Sequence, residues 1–199
     1  MKKEHPNVDQ FFADLRANTR EVMSRDDYQS TLDQVYAELE ANSKPVLRAL
    51  HKIGIEVESV GSLPAAAYRS KYEAAIPILL EHLTKPYYDR NRWAIARALA
   101  VKEAEPAWNI LKDEYVKADR NSEYKRGLAQ ALSVIALPNH LGDLICLLRD
   151  QAHGPSRLIL IGALFRSRRM EAEKAIEELS SDADLHAEIM KFKRQRKKR

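Results

Sequence analysis

One cysteine in 199 residues rules out an intrachain disulfide and any cysteine-based metal cluster. That residue, Cys146, lies in the apolar run Leu144 to Leu148, where a small core residue is expected. No stretch approaches the ~18 consecutive apolar residues a membrane span needs, and Met1 to Gln10 is too polar for a signal peptide, so a cytoplasmic protein without a membrane partner is expected. Only six glycines are present, none in a phosphate-loop pattern, and the Gly-x-Ser-x-Gly and His-Glu-x-x-His patterns are missing too. His51, His82, His140 and His186 lack the i, i+4 partner or neighbouring carboxylate that a metal site requires. The expectation is therefore no catalytic residue, no metal and no cofactor.

What is present suffices for one sizeable core: 45% of the residues are hydrophobic and 31% charged, a globular balance. The formal net charge of +4 is a property of one end. Lys191 to Arg199 holds seven of the 33 bases and none of the 29 acids, leaving the rest of the chain 26 bases to 29 acids and a net charge of −3. A basic face spread over the fold, usual in nucleic-acid binders, does not follow from composition.

From Tyr72 to Asp182 a two-helix unit recurs with a period of roughly 32 residues. Arg92 to Leu99, Lys125 to Leu132 and Arg157 to Leu164 each begin with a base, run through small or apolar residues and end in Ala-Leu. A helix apolar over most of its circumference must be packed between neighbours. Each is preceded by an amphipathic stretch: Tyr72, Ile76, Leu79, Leu80 and Leu83; then Trp108, Leu111 and Tyr115; then Leu141, Leu144, Ile145 and Leu148. Ala172, Ala175, Ile176 and Leu179 begin an incomplete fourth unit.

The base, small apolar run and Ala-Leu resemble HEAT repeats, in particular the short HEAT-like kind found in phycobilisome-lyase proteins. The resemblance covers about the second half of the chain and implies an all-α, HEAT-like α-solenoid of stacked helix pairs with an N-terminal helical cap. It departs from the family at the valine before the base, replaced by Asn91, Tyr124 and Ser156, and at the glycine after Ala-Leu, replaced by Ala100, Ser133 and Phe165. Ile53 to Val60 followed by Tyr72 to Leu83 is also similar to short bacterial HEAT-repeat domain proteins, a resemblance that implies no activity.

Residues 1–69 form the expected cap, residues 70–190 the repeats and residues 191–199 a basic tail. In the cap, Asn7 is placed to open a helix over about 8–23 carrying Val8, Phe11, Phe12, Leu15, Val22 and Met23. A second helix over about 26–42 starts at Asp26 or Asp27, and a third over about 44–53 is opened by Ser43 and Pro45 and ended by Gly54. Ile55 to Pro64 reads as a loop pinned to the first repeat by Ile55, Val57, Val60 and Leu63.

Three sets of residues are candidates for function. Arg92, Lys125 and Arg157 occupy equivalent places and form an inner basic ladder; a row of cations facing an anionic ligand is one reading, and the favoured one is structural, each base bonding carbonyls or acids of the adjacent repeat. Tyr87, Tyr88, Asp89, Arg90 and Trp93 crowd one inter-helix turn, and aromatics with arginine are the residue types enriched at binding hot spots. The competing reading is packing, with Asp89 as a helix N-cap. His153 lies in the equivalent turn of the third unit, beside Gly154 and Pro155, whose turn chemistry explains them without a ligand. These turns should line up along one edge, making Tyr87 to Trp93 and His153 a partner-binding surface for another protein. The tail residues Lys193, Arg194, Arg196, Lys197, Lys198 and Arg199 form a solvated extension that can hold nucleic acid non-specifically; continuation of the helix from Leu185 through Met190, with part of the tail against the acidic body, is open beside it.

The functional expectation is a non-catalytic interaction scaffold in a bacterial cytoplasm, the alternative a nucleic-acid-associated protein using the tail and the Arg-rich turns. A remote third is the class of DNA glycosylases built from HEAT-like helices. Trp93, Trp108, Asp113 and Arg97 are residues of the right types for it, but the acidic body opposes a duplex-binding cleft.

Overall fold

The computed structural model describes residues 7–17, 24–63 and 72–196, and these are helices and connections with no strand among them. Helix α1 (Val8–Ala17) is opened by Asn7, whose Oδ1 accepts the Gln10 N–H at 3.0 Å. Val22 and Met23 lie outside the described residues.

The next two expected helices are one: α2 runs unbroken over Arg25–His51, with Pro45 inside it. Val35, Leu39, Val46 and Leu50 fall on a single buried stripe that passes through the proline, so packing on both sides offsets the lost backbone hydrogen bond. Its start also differs from expectation. Ser24 is the cap, accepting the Asp27 N–H at 3.1 Å, while Asp26 and Asp27 sit in the first turn where their charge favours the helix. Gly54 takes the positive φ of 74° expected of it. The loop beyond it buries Ile55, Val57, Val60 and Leu63, with a short 3-10 turn over Val60–Ser62.

The repeated part follows as α3 (Tyr72–Leu83), α4 (Asp89–Ala98), α5 (Trp108–Lys117), α6 (Glu123–Ile135), α7 (Leu141–Arg149), α8 (Arg157–Arg166), α9 (Met170–Leu179) and α10 (His186–Arg196). Six-residue 3-10 segments, Lys102–Ala107 and Gln151–Ser156, lead into α5 and α8. The expected first and second helices are all present. Second helices α4, α6 and α8 pack in chain order, and α3, α5 and α7 each lie against the one that follows. The tightest approach is between α4 and α6, where a Cβ on Gly127 would stand 2.8 Å from the Trp93 carbonyl oxygen. Only glycine allows the two backbones so close.

One continuous core runs from Val46 to Ile189. A second, small cluster of Val8, Val35 and Leu39 lies under α1, with Phe11, Phe12 and Tyr88 packed on it. Cys146 is exposed, contrary to the expected core place: Leu144, Ile145, Leu147 and Leu148 supply the buried face of α7, and position 146 turns away from it.

Candidate functional site

The basic ladder is built into the fold. Arg157 is completely buried; its Nη1 donates to the Leu148 carbonyl at 3.0 Å and to Asp182 at 2.7 Å, and its Nη2 reaches Asp184 at 3.2 Å. That guanidinium holds the Asp182 carboxyl below the usual carboxylate range. Lys125, also buried, donates to the Ala118 carbonyl at 2.9 Å and lies 4.8 Å from the Tyr115 ring centre. Both bases therefore meet carbonyls at the C-terminal end of their own unit's first helix, which lack an intrahelical donor and sit at the negative end of the helix dipole. Arg92 differs. Its guanidinium lies over the Tyr124 ring at 3.6 Å and its Nη2 is 3.6 Å from Glu114, so it reaches forward into the next unit.

The turns do meet along one edge. Asp89 accepts the backbone N–H groups of Glu123 at 2.7 Å and Tyr124 at 3.1 Å, capping α6 rather than its own helix α4. Arg90 donates to Glu123 at 2.8 Å. The turn before α6 reaches the one before α8 through Arg120, packed so closely on Gly154 that an added Cβ would lie 2.5 Å from its Nε.

This edge is not the open, solvent-facing patch expected, because α1 lies on it. Asp9 accepts the Asp89 N–H at 2.9 Å, and Arg16 pairs with Glu123 at 3.2 Å. The Arg90 guanidinium sits between the Phe12 ring at 5.4 Å and the Trp93 ring at 4.6 Å. Tyr88 packs on the α1 cluster and its N–H donates to Asn42 at 2.9 Å. Tyr87 is half-buried, its hydroxyl 2.5 Å from His82 Nδ1. Val8, Phe11 and Phe12 need apolar cover, and the residues that make a turn adhesive to a partner supply it within the chain. Burial raises the Asp9 carboxyl above its ordinary range although the Asp89 N–H pulls the other way.

His153 is likewise inside, tilted against the Tyr115 ring at 4.7 Å, and burial pushes its pKa below the ordinary imidazole value, with Lys125 adding to the effect. Gly154 beside it has the expected special backbone angle, with φ 61°. Tyr115 shares a 2.7 Å hydrogen bond with Ser156, and burial pushes its phenol to about 12. Trp108, weighed for a base-reading role, is buried: its indole stacks on His140 at 4.1 Å and donates to Asp143 at 3.0 Å. Asp113 and Arg97 are exposed, and Arg97 lies over Trp93 at 5.3 Å.

The tail begins as ordered structure. α10 continues to Arg196, and Lys193 is bound to Glu177 and Ser180, both at 3.0 Å, instead of extending into solvent. Phe192 stacks on Phe165 at 5.1 Å, which holds α10 against α8. Arg194 and Arg196 are exposed, whereas Lys197, Lys198 and Arg199 lie outside the described residues.

Sequence reasoning missed the Asp89 cap across helices, the Asp9 contact and the Trp108–His140–Asp143 group, because each joins residues far apart in the chain with no local pattern to mark them. No helix among the described residues is long and apolar enough to cross a membrane. Compared with protein-family models, curated proteins and solved structures, the chain finds no match.

Proposed function

We propose that the chain is a HEAT-like α-solenoid acting as a non-catalytic protein-interaction scaffold, with residues 1–69 as its cap. The observation that carries this reading is where the polar side chains go. Arg157, Arg92 and Asp89 are occupied in joining one helix pair to the next, and Lys125 in tying together the two helices of its own pair. Stacking of this kind makes an extended surface whose use is to meet partners. Affinity capture from native lysate, with and without nuclease, tests it: a protein retained in stoichiometric amount after nuclease treatment is expected. Loss of every bound component on nuclease treatment sinks the scaffold reading.

The second reading, nucleic-acid association, draws on the exposed Arg194 and Arg196 and on the basic residues that follow. Seven bases limit the log-log salt dependence of duplex binding to a slope of at most about −6. Deleting Lys191 to Arg199 should abolish such binding, and sequence-selective binding by the truncated body would favour the glycosylase-like class instead.

A further inference from the structure

An open groove of about 950 Å³ lies between α8, α9 and α10, and no α1 residue lines it. Its floor is apolar: Phe165, Met170, Ile176 and Met190. Met170 leaves 67% of its surface exposed, the largest value among the exposed large hydrophobic residues described. Lys174, Arg194 and Arg196 stand around this floor. Of the two carboxylates on the rim, Glu177 is bound to Lys193. The balance at the groove is positive: Lys174, Lys193, Arg194 and Arg196 line it against Glu173 and Glu177.

We infer that this groove docks an acidic amphipathic helix of a partner protein, a conclusion that rests on the scaffold reading and gives it a binding surface. An apolar floor with a thioether at its mouth accepts aliphatic or aromatic anchors spaced at i, i+4 and i+7. Bases around it favour carboxylates on the flanks of that helix and steer its approach. Single-stranded nucleic acid fits less well. Phe165, the one aromatic among the residues lining the groove, already stacks on Phe192, so the groove lacks the row of aromatics on which successive bases stack. Glu173 also stands on the rim, where an unbroken phosphate chain would meet it; a peptide can leave an uncharged residue at that point.

The probe is a fluorescein-labelled synthetic helix of about five turns with leucine at the anchor spacing and glutamate elsewhere, titrated with the full-length protein and followed by anisotropy. Binding that weakens as salt is raised is expected, and a peptide with lysine replacing every glutamate should not bind. Lys174→Glu combined with Arg194→Glu, and separately Met170→Asp, should each weaken binding by about tenfold or more. All three positions are exposed, so circular dichroism and the melting curve should match the parent. Equal affinity of parent and variants overturns the proposal. So does tighter binding of an oligothymidylate that the same variants abolish, which would make the groove a nucleic-acid site. Self-association of the parent in sedimentation, lost in Met170→Asp, overturns it in favour of a second copy. A lysate partner captured equally by parent and groove variants would sink the groove and leave the scaffold standing; the absence of any protein partner would sink the scaffold.

Discussion

The core from Val46 to Ile189 and the small cluster of Val8, Val35 and Leu39 use the same kinds of side chain but are held in different ways. In the large core each helix is clamped by neighbours, and the polar groups that enter it, Arg157 and Lys125, do so with partners supplied. The small cluster is closed from one side by α1, a ten-residue helix held on the body by half-exposed aromatics, one carboxylate-to-amide bond and the Arg16–Glu123 pair. A helix of that length is marginal alone, and the Arg16 side chain is about one-third exposed, where ion pairs contribute little. Burial by several neighbours makes a stack cooperative; burial by one makes a flap that can open separately.

That difference is tested first by Leu132→Asp, a charge placed at a fully buried position between helices. It should destabilise the chain by on the order of 4 kcal/mol or more, read as loss of a cooperative melting transition. A soluble variant with a normal transition would break the picture of a continuous core. Arg157→Ala removes a completely buried cation and leaves Asp182 and the Leu148 carbonyl without it; a loss of about 3 kcal/mol is expected in denaturant unfolding. If Arg157 instead serves a ligand, the variant will melt normally and lose binding.

Asp89→Ala has a smaller effect, about 1 kcal/mol, because it frees only the Glu123 and Tyr124 amides while Ser122 still caps α6 through the Lys125 N–H. Since the amides at stake belong to α6, hydrogen exchange should rise at Glu123 and Tyr124 rather than in α4, and faster exchange in α4 alone would refute the cap across helices.

The large core also carries a pH response. The folded-state pKa of His153 is lowered by burial, so the unfolded chain takes up a proton first as pH falls. Stability is therefore complete above the unfolded value of about 6.5 and declines as pH falls through it toward the folded value. Melting temperature should drop as pH falls below about 6.5, and His153→Phe should flatten that slope in part, since His82 is shifted the same way. An unchanged slope would mean that His153 takes its proton without opening the fold.

Smallest of all on global melting is Tyr88→Ala with Arg90→Ala, expected within roughly 0.5 kcal/mol for the main transition because its target is the flap. Amide exchange in α1 should quicken markedly. Global destabilisation comparable to that of Arg157→Ala would show that the two clusters are one unit.

Helical spacing located the first helices of the repeated part, because a stripe at i, i+4 and i+7 is set within a few turns and survives whatever packs on it, and the recurring base, small apolar run and Ala-Leu located the second. The basic ladder is favoured as structural because its position is a general feature of the repeat class it resembles; Arg157 and Lys125 each bond a carbonyl at the end of the helix before their own. The Tyr87 to Trp93 turn was legible only as adhesive. Its composition says that it will cover or be covered, and nothing within it says by what.

What the sequence determined by itself was the helical class, the order of the helices and which face of each is apolar, all local consequences of side-chain spacing along a 3.6-residue turn. Tertiary structure alone decided that Pro45 stays inside α2, that Asp89 caps α6 and that α1 lies on the turn edge. Each of these depends on a neighbour brought in from elsewhere in the chain, 80 residues away in the case of Asp9 and Asp89, and a contact over that separation leaves no periodicity in the sequence to read.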